Sequence, residues 1–294
     1  PNYLKLKEKL AKELAGYKGE LALIYPLSFL PDDYHIFHDI RLNDGTHFFQ
    51  NDNIILTNKC ILLIEVKNLA GTLYYDQKNH QLTRTIANDV QAFDSPVTQV
   101  RRHKLQLEKR LSLHNLPSPP IHCLIAHSHP DAIFSSNDPS LDFVIRTYNL
   151  PEKITEIVSQ FHEPFLTKKQ FEQLSSSLLK NHCSHQYDYA SRYKVSSTDI
   201  QNGVHCSNCG NNPMGRKHGT WQCQECGFRD GKAHIDALKD YFLFFGPPIS
   251  NGRLRTFLRI GSASTANRIL SSLHLEHCGE NRGRIYKLKF TNFD

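Results

Sequence analysis

Two C-x2-C pairs, Cys206/Cys209 and Cys223/Cys226, stand thirteen residues apart and leave little choice about what their surroundings fold into. Each pair turns two thiols toward one point, and four sulfurs in a tetrahedron are the donor set that Zn²⁺ takes. A glycine follows each pair (Gly210 and Gly227), where a tight turn needs a residue free of Cβ strain. Residues 203–230 hold too little apolar surface to fold without a staple, so they are read as a zinc ribbon whose metal serves to fold it. The other cysteines, Cys60, Cys123, Cys183 and Cys278, are scattered singly. A secreted disulfide scaffold would spread its cysteines through the chain, so a reducing, cytoplasmic setting is expected.

The formal charge of +6 is unevenly placed. From Pro1 to Asn202, 22 Lys and Arg are matched by 22 Asp and Glu, whereas residues 203–294 carry 13 against 7. A neutral body with a basic module suggests chemistry in one part and polyanion contact in the other, an unevenly solvated surface being the plain alternative. Apolar residues at 39% allow a real core and exclude a mostly disordered chain. No run approaches the roughly eighteen apolar residues of a membrane span. Pro1–Leu14 alternates Lys and Glu with Leu and lacks the apolar run of a secretory leader, so neither membrane insertion nor export is expected.

The first 166 residues read as one mixed α/β domain. Leu4, Leu10, Leu14, Leu21 and Ile24 recur near helical spacing, interrupted at Gly16 and Gly19 and stopped by Pro26 and Pro31. Strand-like runs follow at Ile36–Leu42, Asn53–Thr57, Ile61–Val66 and Thr72–Tyr75, separated by Asn43-Asp44-Gly45, Asn58-Lys59 and Gly71. Ser95-Pro96 opens a helix, Ser as N-cap and Pro at the first helical position, with Val97, Val100, Leu107 and Leu111 on one face. Further strands are expected at Ile121–Ala126 and Phe143–Ile145, and a helix at Pro151–Phe161. Such a mixture implies a central sheet flanked by helices. Residues 167–202 are read as a connecting helix, Thr167–Asn181, and a polar linker. His127, His129, His182 and His185 are taken as loop residues, with His182 and Cys183 kept as spare metal ligands.

The most informative stretch is Asn51–Asn68. Asp52 leads the run Asn53–Thr57, and Glu65 and Lys67 close the next run, two residues apart and therefore on one face of a strand. If the runs form a hairpin, Asp52 meets the Glu65–Lys67 end. Two carboxylates side by side are unfavourable unless a proton or a cation joins them, and oxygen donors of this kind suit Mg²⁺ or Mn²⁺. The plain alternative is a same-face ion pair at a strand end.

Asp-x12-Glu-Val-Lys resembles the core of the PD-(D/E)XK nuclease superfamily, and its context resembles the nuclease-related domain branch. The matching landmarks are Gly16-x-x-Gly19-Glu20, Gln50-x-Asp52, Ile64-Glu65-Val66-Lys67-Asn68 with Gly71 behind, and Pro96-x-x-Gln99, in the family's order. Cys60 departs from it, standing where the family more often has a small turn residue. The resemblance implies a restriction-endonuclease-like mixed sheet flanked by helices and a catalytic set of Glu20, Asp52, Glu65, Lys67 and Gln99. Asp52 and Glu65 would hold the metal, with Glu20 adding a carboxylate directly or through water. Lys67 would orient or deprotonate the attacking water, and Gln99 would position water or phosphate.

The C-terminal 233–294 opens with a helix at Ile235–Phe245, ended by Gly246-Pro247-Pro248. Arg253–Ile260, a Ser262/Ser264 cap, Thr265–Leu273, and the runs Leu275–Cys278 and Ile285–Phe290 around a Gly279–Gly283 turn then follow in winged-helix order. Ser264, Asn267 and Arg268 are expected at a nucleic-acid groove, Arg282 and Arg284 at phosphates. In the ribbon hairpin, Arg216 and Lys217 flank the turn and Trp221 offers a flat face, for nucleic acid or protein equally. The leading expectation is a Mg²⁺-dependent nuclease acting on DNA, with RNA left open. The second is a nuclease-like scaffold that binds nucleic acid without cutting it. The third is an interaction module that recruits a protein such as a helicase, or pairs two copies of the chain as a homodimer.

Overall fold

The computed structural model describes residues 2–136, 138, 141–183, 192–196 and 199–289. The chain divides into two compact units, Pro1–His185 and Gln186–Asp294.

The first unit is a mixed α/β fold. Helix α1 (Asn2–Leu21) and the single turn α2 (Ile24–Leu27) precede the strands β1 (His35–Asn43), β2 (Phe48–Leu56) and β3 (Ile61–Lys67). Next come β4 (Gly71–Asp76), β5 (Gln81–Ile86), β6 (Asp89–Asp94) and α3 (Pro96–Leu113), then β7 (Ile121–His127), β8 (Ala132–Ser136) and β9 (Val144–Arg146), with α4 (Leu150–Ser159) and α5 (Lys168–Lys180) last. The main sheet runs β1-β2-β3-β7-β9, antiparallel as far as β3 and parallel beyond it. A smaller sheet has the order β6-β5-β4-β8, antiparallel except where β4 meets β8.

Strand β3 explains why the main sheet needs helices on both faces. Ile61 and Leu63 belong to one core with Val97, Val100 and Leu107 of α3, while Leu62, Ile64 and Val66 belong to another with Leu23, Ile154 and Ile157. An unbroken apolar run is what a central strand covered on both sides requires. Glu65 and Lys67 continue the Ile61–Leu63 face and so point toward α3. Helix α5 packs Phe171, Leu174 and Leu178 into that same core, and its Thr167 side chain forms a capping box with Gln170.

Several sequence expectations are corrected. Helix α1 runs through Gly16 and Gly19 without interruption. Its apolar residues Leu4, Leu10, Leu14 and Leu21 are exposed, and it approaches the sheet only near its C-terminal end, where Asn68 Nδ2 donates to Ala15 O at 2.6 Å. Ser95 occupies the N-cap position of α3 but makes no capping bond. The strands β5, β6 and β8 were unforeseen: β5 and β6 lie in a polar stretch whose alternation is weak, and β8 follows a His-rich segment that reads as loop.

In the second unit, β10 (Gly215–Lys217), β11 (Thr220–Gln222) and β12 (Arg229–Asp230) form a small antiparallel sheet. After it come α6 (His234–Phe245), β13 (Pro248–Ser250), α7 (Asn251–Leu258), α8 (Ala263–Ser272), β14 (Glu276–Cys278) and β15 (Ile285–Lys287). The sheet order β13-β15-β14 with three helices is the winged-helix arrangement, β13 being the strand the sequence did not reveal. Both parts of the unit share one core, in which Trp221 packs with Leu238, Leu254 and Tyr286. Trp221 is therefore buried, not a flat face offered to a ligand; its Nε1 donates to His234 Nδ1 at 3.1 Å. Phe290 and His185 lie outside the described residues, as does the side chain of Arg282.

Candidate active site and four-cysteine centre

The β2–β3 ladder pairs Asn53 with Ile64, which sets Asp52 opposite Glu65 at the next rung. Asp52 Oδ2 accepts the Val66 N–H at 2.7 Å. Lys67 Nζ donates to Glu65 Oε1 at 2.5 Å and to Gln99 Oε1 at 3.2 Å. Four of the five residues expected at the site thus meet at one end of the β2–β3 hairpin, under α3. Glu65 is buried, whereas the Lys67 side chain keeps a quarter of its surface open (25%) and can reach a ligand from solvent.

Glu20 reaches this cluster through a close helix–sheet approach. A Cβ on Gly19 would lie 2.7 Å from Asn68 Cβ and 3.0 Å from Ser128 Oγ. Glycine is the residue that lets α1 settle there, and Glu20 follows it toward the carboxylates. Gly16 has nothing within 4 Å of such a Cβ, so packing does not explain it. Gly71 has φ +93° and a Cβ there would strike Thr85 O at 2.6 Å. At Cys60, Thr57 Oγ1 accepts the Cys60 N–H at 2.9 Å and the thiol is buried in the second core, so the turn forms without a glycine.

Asp39 was not foreseen. The β1–β2 register pairs His38 with Asn53 and Ile40 with Asn51, which puts Asp39 opposite Asp52. Its backbone is left-handed (φ 51°), and Gln50 Nε2 donates to its carboxylate. Burial, then Asp52, Asp39 and Glu13, pushes the Glu20 carboxyl up to about 7. Burial and the Glu65 charge push Asp52 up to about 7 as well, against the Val66 hydrogen bond and Lys67. Glu65 is also raised by burial, with Lys67 opposing. Among the described residues, the four cysteines are the group of three or more Cys, His, Asp or Glu side chains whose ligand atoms converge as a metal site would, all within 4.8 Å of one another.

Three more groups surround the cluster. His103 is one helical turn beyond Gln99 on α3, and its Nδ1 lies 4.0 Å from Glu65 Oε2. Burial, with Arg102 and Lys67, lowers His103 to about 4, so it is neutral. The Gln99-x3-His103 spacing was the available signal for it. His127, read from sequence as a loop residue, instead ends β7 abreast of Lys67 and is buried, and its Nε2 pairs with the Tyr75 hydroxyl at 2.8 Å. His182 and Cys183, kept as spare ligands, instead meet Arg41: its amide donates to His182 Nδ1 at 3.2 Å, and Cys183 N donates to its carbonyl at 3.0 Å.

The four cysteines form a second centre. Cys206 and Cys226 sulfurs are 3.6 Å apart, as are those of Cys209 and Cys223. A tetrahedral Zn²⁺ with bonds of about 2.3 Å sets its sulfurs about 3.8 Å apart, so the group fits zinc. Gly210 and Gly227 carry the positive φ expected of them, 74° and 71°. The Asn208 side chain and the Phe228 amide lower the Cys226 thiol to about 6, favouring the thiolate a metal needs. Of the residues expected to meet nucleic acid, Lys217, Ser264, Asn267 and Arg268 are exposed, whereas Arg216 and Arg284 are half-buried. No helix of the described residues is long and apolar enough to cross a membrane.

No curated protein and no solved structure matches the chain. Residues 15–128, the segment that carries Glu20, Asp52, Glu65, Lys67 and Gln99, match the family model of the nuclease-related domain.

Proposed function

We propose that the protein is a Mg²⁺-dependent nuclease that hydrolyses phosphodiester bonds of DNA, held to its substrate by the basic C-terminal unit. The observation that carries this reading is the meeting of Asp52, Glu65, Lys67 and Gln99 at one strand end, with the Lys67 side chain partly open to solvent. Asp52 and Glu65 would hold Mg²⁺ or Mn²⁺, with Glu20 reaching the same ion through water. Carboxyls pushed up toward neutrality by burial and by one another are a donor set relieved by a hard cation. Such an ion, when bound, polarises the scissile phosphate and acidifies water. Lys67 orients the attacking water at Nζ and offsets charge growing on the phosphate oxygens. Gln99 fixes Nζ through its carbonyl and bonds Glu65 through its amide N–H, which leaves its second N–H for water or phosphate. His103, neutral and buried, packs beside the second oxygen of Glu65 and limits its room to turn. Zn²⁺ at the four cysteines is structural.

The Lys67–Glu65 ion pair, which satisfies one oxygen of that carboxylate within the protein, favours a second reading, a nuclease-like scaffold that binds nucleic acid without cutting it. A cleavage assay on plasmid and single-stranded DNA, with and without Mg²⁺, separates the two. Metal-dependent cutting that Lys67→Ala reduces at least a thousandfold supports the nuclease. Binding without cutting at any metal concentration supports the scaffold.

A further inference from the structure

The second unit contains a cavity of about 720 Å³ between the β10–β11 turn and the α7–α8 turn, lined by Arg216, His218, Arg259, Ser262, Thr265 and Arg268 among others, with no carboxylate in its wall. Three guanidinium groups around one polar cavity repel each other unless an anion joins them. Arg216 is the most telling of the three. Its guanidinium lies over the Trp221 ring at 5.0 Å, and its Nε and Nη1 are buried with no hydrogen-bond partner. A buried donor left unpaired is costly, and the side chain that carries these two donors also lines the cavity. Burial and the Arg268 charge both depress the Arg216 guanidinium, as expected where no anion balances it. Across the cavity, α8 begins at Ala263; its N-cap Ser262 Oγ accepts the Thr265 N–H at 3.3 Å, and the positive end of this ten-residue helix adds to the same field.

We propose that this cavity is a phosphate-binding site for a nucleic-acid strand, with Arg216, Arg259 and Arg268 as its donors and the start of α8 closing it. Guanidinium groups match phosphate oxygens two donors at a time, which a sulfur or carbonyl ligand would not use. The choice of a nucleic acid as bearer of the phosphate rests on the nuclease reading; the phosphate site itself does not. The expected Trp221 platform and the Ser264–Asn267 groove gain no part in it.

The test uses the full-length, zinc-loaded chain carrying Lys67→Ala, so that binding is read without cleavage. Fluorescence anisotropy is measured for a labelled single-stranded oligonucleotide with a 5′-phosphate and for the same strand with a 5′-hydroxyl. Arg259→Gln combined with Arg268→Gln, both exposed positions, should weaken binding at least tenfold. The log–log slope of affinity against salt should flatten by about 0.7 for each phosphate left unneutralised. Inorganic pyrophosphate should compete with the wild-type site and not with the double variant. Lys232→Gln, outside the cavity, should change binding less than twofold. Preference for the 5′-phosphate strand assigns the site to a strand end, and equal binding assigns it to an internal diester. Undiminished binding in the double variant overturns the proposal, as does an equal loss in Lys232→Gln, which would mean a diffuse basic surface. Trp221 fluorescence and zinc content verify that each variant is folded. If binding depends on the cavity and the unmodified chain still cuts nothing, the nuclease reading alone falls.

Discussion

Asp52 Oδ2 accepts the backbone N–H of Val66 at 2.7 Å, and this bond holds a carboxylate beside Glu65 that electrostatics would push away. Asp52→Asn keeps an oxygen for Val66 and removes the repulsion. In the metal-free protein, folded-state carboxyls near 7 bind more protons than unfolded ones from about pH 4 to 7, so stability falls as pH rises through that window. The variant should therefore be more stable than wild type at pH 8 by about 1–3 kcal/mol and nearly equal to it at pH 4, while its cleavage falls at least a hundredfold. Thermal unfolding at the two pH values without divalent metal checks the sign.

Metal binding should be pH-linked for the same reason. Mg²⁺ must displace protons from Glu20 and Asp52 below their raised pKa values of about 7, so its affinity should fall about tenfold per pH unit below neutrality for each proton displaced. Calorimetry in two buffers of different ionisation enthalpy counts those protons; a proton count of zero at pH 6.5 would contradict this account.

His103 Nδ1 lies 4.0 Å from Glu65 Oε2, too far for a hydrogen bond, and the proposed role is to position Glu65 by packing rather than to touch substrate. His103→Ala is expected to lower kcat about 10- to 100-fold with little change in KM, and His103→Gln to recover part of it. Because the imidazole is already neutral near pH 7, the pH profile of cleavage should keep its shape.

Gly19→Ala places a Cβ 2.7 Å from Asn68 Cβ. Helix α1 must lift from the sheet, carrying Glu20 with it, at a cost of about 1–3 kcal/mol. Cleavage should fall more than stability does, and Gly16→Ala, which meets nothing within 4 Å, should leave both close to wild type.

Trp221 is the single tryptophan of the chain and lies in the core of the second unit. Cys223→Ser should remove zinc and expose that ring, shifting its emission to the red, while the secondary structure of the first unit persists. Emission unchanged after loss of zinc would show that the shared core holds without the metal.

Much of the site was legible because its parts are local. Glu65 and Lys67 share a face by strand alternation, and the short turn at Asn58-Lys59 sets the register that brings Asp52 to them. Gln99 followed from the family resemblance alone, through the Pro96-x-x-Gln99 landmark. Asp39 and His103 were not legible. Asp39 joins the row only because β1 pairs with β2 in one particular register, and a lone Asp in a strand carries no signal of that. The apolar stripe of α1 misled, since periodicity reports what a helix offers to bury and not whether a partner covers it. Trp221 misled in the same way, since α6 and α7 complete the core that the ribbon residues Val204, Met214 and Cys223 only begin around it.

The amino-acid sequence by itself determined the order of the elements apart from β5, β6, β8 and β13, the four-sulfur centre and the identity of the acid–lysine strand, because each depends on spacing within one or two neighbouring segments. Only the tertiary structure decided how α1 reaches the sheet through Gly19, how His103 stands behind Glu65, and how Arg216 meets Arg259 and Arg268 around one cavity. Those contacts join residues far apart in the chain, and burial and charge repulsion act through space, where spacing along the backbone carries no information.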